Sequence, residues 1–109
     1  MPPVQYEVLL FEKAEKDLVS IYEYVLQEDG FRQAEAVEKR LLEALVSLGE
    51  LPNRGKHPPE MTKLGISDYR ELQVSPWRIF YYVIHDAVGV VAILDGRRDV
   101  KELLQKRVL

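Results

Sequence analysis

The stretch YRELQVSPWRIFYYVIHDAVGVVAIL, positions 69–94, decides the fold. It divides into three runs rich in β-branched and aromatic residues, Tyr69–Val74, Trp77–Ile84 and Val88–Leu94. Ser75-Pro76 and His85-Asp86-Ala87 separate them. Connections this short are tight hairpins, so the three runs form an antiparallel meander. Along the middle run Trp77, Ile79, Tyr81 and Val83 point one way, and Arg78, Phe80, Tyr82 and Ile84 the other. Large side chains on both faces mark a central strand. One face is expected to take helices. The other is expected to be half covered, with aromatics beside arginine.

Towards the N-terminus, residues 50–68 hold Pro52, Gly55, Pro58, Pro59 and Gly65 and read as one long irregular segment. Before it lie two helical stripes. Ala34, Val37, Leu41, Ala44, Leu45 and Leu48 form one, which Gly49 is expected to close. Ala14, Leu18, Ile21, Tyr22 and Val25 form the other, ending at Asp29-Gly30. Glu12, Glu15 and Asp17 favour the positive end of that first helix. A few residues join the two stripes, which makes an αα-hairpin that must lie on something else. Residues 4–11 alternate and then run apolar, a strand buried at its C-terminal end.

Towards the C-terminus, Gly96-Arg97-Arg98 turns the chain. Asp99 and Glu102 have the spacing of a capping box, and Leu103, Leu104 and Val108 give a short helix something to bury. The expected fold is α+β in a single domain over residues 1–109. It has an N-terminal strand, an αα-hairpin, a three-stranded antiparallel meander in one antiparallel sheet, and a short C-terminal helix.

The chain has 109 residues, of which 47% are hydrophobic, enough for one core without staples. Cysteine is absent, which excludes disulfides and thiolate metal sites and fits a reducing compartment. No apolar run approaches a bilayer span and no basic-then-apolar leader is visible, so a cytoplasmic protein is expected. The net charge of −3 argues against a generic nucleic-acid binder. It is unevenly spread: residues 1–55 carry six Lys/Arg and eleven Asp/Glu, residues 56–109 nine and seven.

Phosphate-loop, dinucleotide and zincin motifs are missing. His57 and His85 lie in a loop and at a hairpin tip without a third ligand, so neither a metal nor another cofactor is expected. The aromatics Tyr69, Trp77, Tyr81 and Tyr82 can stack on bases, but at strand spacing they read as packing residues. The remaining chemistry is a set of arginines: Arg70 and Arg78 on neighbouring strands, then Arg97 and Arg98 after the last. The planar guanidinium fork suits phosphate and carboxylate. Three of the four also have nearby acids, Asp68 and Glu71 for Arg70, and Asp95 and Asp99 for the adjacent pair. Two adjacent arginines are hard to neutralise together.

Three local patterns, in this order of elements, carry a resemblance: Tyr69-Arg70-Glu71-Leu72, Pro76-Trp77-Arg78-Ile79-Phe80-Tyr81-Tyr82 and Asp95-Gly96-Arg97-Arg98-Asp99. With the turn from Leu51-Pro52 to Gly55, they make nearly the whole chain resemble the RelE/ParE superfamily of bacterial type II toxins. The resemblance implies a cytosolic toxin with a cognate antitoxin protein as partner, no membrane and no small-molecule cofactor. RelE-like members cut mRNA on the ribosome, and Arg78 and Arg97 match arginines that those nucleases use for phosphate. ParE-like members inhibit DNA gyrase by binding. This chain has one basic residue in Tyr69–Val74 where nucleases place several, and Leu103 or Leu104 where a catalytic tyrosine or histidine is expected. The resemblance therefore points to the ParE-like branch, with Arg70, Arg78, Arg97 and Arg98 as target-binding residues and no catalytic ones. The alternatives are a ribosome-dependent endoribonuclease, using Arg78 and Arg97, and an inactive member kept for antitoxin binding.

Overall fold

The structure, a computed structural model, describes residues 5–108. In chain order it contains β1 (Glu7–Leu10), α1 (Glu12–Asp29), α2 (Phe31–Glu50), α3 (Pro59–Thr62), β2 (Tyr69–Val74), β3 (Trp77–Ile84), β4 (Ala87–Asp95) and α4 (Val100–Val108). The N-terminal strand is shorter than residues 4–11, and Val4 lies outside the described residues. Among the described residues no helix is long and apolar enough to cross a membrane.

The meander forms as expected, in the order β1-β4-β3-β2. The sheet as a whole is mixed, because β1 pairs with β4 in parallel, Glu7 opposite Ala87 and Leu10 opposite Val90. The reason lies in β4. Val88, Val90, Val91, Ala92, Ile93 and Leu94 are all buried, so both faces of that strand are covered. A strand apolar on both faces belongs inside a sheet, where it needs a second neighbour. An irregularity at Phe80/Tyr81 leaves Val91 as the extra residue of β4, since Phe80 faces Ala92 and Tyr81 faces Val90.

Each face of the sheet has its own core. Ala14, Leu41, Leu45 and Leu48 of the helical hairpin pack on Trp77, Ile79, Tyr81, Val90 and Ile93. On the other face Met61, Val100 and Leu104 pack on Phe80, Val91, Ala92 and Leu94. The second face is thus covered further than the sequence suggested. The segment 50–68 folds a turn of helix, α3, and this joins α4 over Phe80.

Two glycines shape the hairpin. Gly30 alone joins α1 to α2, with φ 93° and ψ 175°, a region open to little but glycine. Its N–H donates to Leu26 O at 3.1 Å and its carbonyl accepts from Ala34 N at 3.1 Å. Gly49 does not close α2, which runs to Glu50. It is a point of close approach instead: Tyr6 N donates to Gly49 O at 2.8 Å. A Cβ there would stand 3.0 Å from Tyr6 O.

Candidate functional site

The four arginines do not form one patch. Arg70 stands opposite Tyr81 in the β2–β3 register, on the face of the helical hairpin. Its Nη1 donates to Gly55 O at 2.8 Å and to Asn53 O at 3.4 Å. Gly55 N in turn donates to the Tyr81 hydroxyl oxygen at 3.0 Å. Burial raises the Tyr81 phenol above its ordinary value, so it stays neutral beneath this turn. Arg70 therefore fastens the chain leaving α2 to the edge of the sheet.

Arg78 lies on the opposite face, its guanidinium carbon 4.9 Å from the centre of the Phe80 ring. Its Nη1 and Nη2 donate to the two Glu60 oxygens at 2.7 and 2.8 Å. Its Nε donates to Glu71 Oε2 at 2.5 Å, and Nη2 also pairs with Glu71. Lys56 reaches the other Glu71 oxygen at 3.6 Å. The Arg78 side chain is 13% exposed and that of Glu71 4%. The hydrogen bonds from Arg78 hold Glu60 below the ordinary carboxylate range, and those bonds raise Arg78. This planar fork is a charge-assisted lock between α3, β2 and β3.

Arg97 and Arg98 are presented differently. The turn after β4 places both at the surface. The Asp95 carboxylate accepts from Arg97 N at 2.9 Å, Arg97 Nε at 3.0 Å and Arg97 Nη2 at 2.7 Å. That pairing lowers Asp95 below its usual value and raises Arg97, whose side chain is still 71% exposed. Arg98 N donates to Asp95 O at 3.1 Å. Its guanidinium has no ion pair or hydrogen bond among the described residues. Asp99 is occupied elsewhere, since its Oδ1 accepts from Glu102 N at 3.3 Å and caps α4.

A cleft of about 390 Å³ opens beside this turn, with Ser20 and Tyr24 of α1 on one wall, Trp77 and Asp95 behind, and Arg97 and Arg98 on the other wall. Tyr24 sits off the apolar stripe of α1 and is 61% exposed. A large aromatic on the polar side of a helix was the available sequence signal for this wall, and the stripe analysis passed over it. Two acids were equally invisible. Glu60 is separated from Arg78 by 18 residues. Asp17 is separated by 90 from Arg107, which donates to both its carboxylate oxygens at 2.7 Å.

Tyr24 lines the same cleft as Arg97 and Arg98, and the Tyr81 hydroxyl lies beneath the turn that Arg70 holds. His57 Nδ1 is 3.0 Å from the carbonyl of Tyr69, the first residue of β2, and His85 follows the far end of β3. Leu104 is 1% exposed, packed in the second core, with Leu103 against it. Among the described residues no group of three His, Asp or Glu is placed to hold a metal.

Solved structures share this fold. A chain of the chromosomal ParDE system from P. aeruginosa superposes with a TM-score of 0.68 at 19% identity, covering 84% of this chain and 96% of its own. A variant of E. coli toxin RelE in the free state gives 0.63 at 20% identity, over 96% and 99%. A chain of the RelBE2 toxin–antitoxin complex from Mycobacterium tuberculosis gives 0.59 at 20% identity, over 86% and 94%. No curated protein matches the sequence. The sequence model described as the ParE toxin of the type II toxin–antitoxin system, parDE, matches residues 8–100. With the order of elements, the meander and the arginine turn in place, the chain belongs to the ParE toxin family of type II toxin–antitoxin systems.

Proposed function

We propose that this ParE-family toxin acts in the cytoplasm by binding and inhibiting DNA gyrase, and that it cuts no nucleic acid. The observation that carries this reading is the state of Arg78. Ribonuclease relatives are expected to use an arginine at this position for phosphate, and here it is held by two carboxylates. Attack by a ribose 2′-hydroxyl also needs a proton acceptor. Glu60, with its affinity for protons lowered by Arg78, is a poor one. Leucine occupies the α4 positions where tyrosine or histidine would serve. An inhibitor that works by contact needs only a complementary surface. The Arg97–Arg98 turn and the adjoining cleft supply one; Arg78 lies beneath that turn, and Arg70 holds the separate turn at Asn53–Gly55.

The antitoxin is the second proposed partner. The similar structures from P. aeruginosa and M. tuberculosis belong to toxin–antitoxin systems. The helical hairpin here exposes Val19, Leu26, Leu42 and Val46. Co-expression with the product of the adjacent reading frame is expected to yield a stable complex, and repeated purification of the toxin alone would argue against it.

The target is tested by supercoiling and ribosome assays on one preparation. Inhibited supercoiling or trapped cleaved plasmid is expected. Codon-positioned cleavage of ribosome-bound mRNA, with gyrase unaffected at excess protein, would make the protein an endoribonuclease. Inertness in both assays would make it a member kept for antitoxin binding.

A further inference from the structure

Arg78 is enclosed in a way that gives it a second task. Three of its nitrogens are engaged by Glu60 and Glu71, and its side chain is 13% exposed. A phosphate or carboxylate approaching it would meet the two negative charges already there. Yet its aliphatic stem lies directly under the arginine-bearing turn. A Cβ on Gly96 would stand 2.9 Å from Arg78 Cδ and 3.1 Å from Pro76 O. Gly96 N donates to that same Pro76 carbonyl at 2.7 Å. The turn backbone therefore rests on the Arg78 stem with no room for a side chain between them.

We propose that Arg78 is a positioning residue: locked at its head by Glu60 and Glu71, it supports the Gly96–Arg98 turn with its stem and so sets where Arg97 and Arg98 point. It does not contact the target itself. The proposal rests on the reading of Arg97 and Arg98 as the contact pair. It also gives α3 a purpose. That single helical turn brings Glu60 over the sheet, and the segment 50–68 becomes the back support of the site.

Glu60→Gln tests this, because it leaves Arg78 in place and weakens one of its two anchors. The turn amides Gly96 and Arg98 are expected to exchange about tenfold faster with deuterium, roughly what loss of one charge-assisted hydrogen bond amounts to. Amides between Leu41 and Leu48, in the other core, open only with the whole fold and should speed up only as far as the variant's lower urea midpoint requires, less than the turn amides. Growth inhibition on induced expression is expected to weaken. Arg78→Lys keeps the charge and loses the fork, so it should resemble Glu60→Gln. A direct contact predicts the reverse: Glu60→Gln frees the guanidinium, growth inhibition holds or rises, Arg78→Lys stays active and the turn amides are unchanged. That pattern overturns the proposal. Exchange is independent of the target, so a parent protein that fails to arrest growth removes the functional reading alone. The exchange rates still decide for or against the positioning role.

Discussion

Glu60 carries a charge whose stability depends chiefly on one neighbour, and that makes it the most informative single residue to titrate. Hydrogen bonds from Arg78 lower its pKa from the ordinary 4.5, and Arg97 lowers Asp95 from 3.8 in the same way. A carboxyl with a lower pKa in the folded than in the unfolded state adds stability above its unfolded value. That stability is lost as pH falls through the folded value. The Glu60 contribution is therefore complete at neutrality and declines below about pH 4.5. Urea midpoints measured across this range should show Glu60→Gln less stable than the parent at pH 7, with the two converging in acid. Curves that stay parallel would show that the carboxylate contributes nothing through its charge. Removing the arginine is a harsher change. Glu71 is 4% exposed, and Arg78→Ala would leave it with only the distant Lys56. A loss of about 3 kcal/mol is expected, as for other broken buried pairs.

At the scale of elements, the hairpin and the free edge of β4 depend on contacts of different reach. Gly30 is the whole connection between α1 and α2, and nothing lies within 4 Å of where its Cβ would be. Gly30→Ala should therefore cost about 1–3 kcal/mol through backbone strain alone, with activity retained in the folded fraction. Past the end of β1, the edge of β4 is completed by side chains. Asp17 accepts from Ile93 N at 2.9 Å, and Arg107 donates to Val91 O at 3.1 Å while holding Asp17. Arg107→Ala is expected to cost about 2 kcal/mol and to speed amide exchange at Ile93. Unchanged exchange there would mean that Asp17 holds the edge unaided. These cases also show what the sequence could reveal. Alternation and helical spacing are local, so the meander, both helical stripes and the Asp99 cap were legible. Gly49 was misread because a helix-closing glycine and a glycine of close approach look alike until Tyr6 is seen against it. The parallel pairing of β1, the Glu60–Arg78 lock and the Asp17–Arg107 pair all join distant residues, and no spacing rule reports them. Of the arginines, the sequence supplied the names, but not the opposite faces on which Arg70 and Arg78 lie.

For the whole molecule, charge and exposure divide the surface between two proposed tasks. The helical half carries the acidic excess and the exposed apolar residues assigned to the antitoxin. The C-terminal half carries the net positive charge and, at the end of β4, the Arg97–Arg98 turn beside its cleft. A chain with a net charge of −3 is poorly suited to a field of RNA phosphates, whereas a local pair of arginines suits a defined protein surface. The most direct measurement is gyrase supercoiling with the parent and with Arg97→Ala/Arg98→Ala, each checked for folding by its melting curve. The account predicts that the parent inhibits supercoiling, that the double variant does not, and that both are folded, the double variant melting only slightly lower because the Arg97–Asp95 pair it loses is an exposed one. Equal inhibition by a folded double variant, or an untouched gyrase beside cleaved ribosomal mRNA, would contradict it.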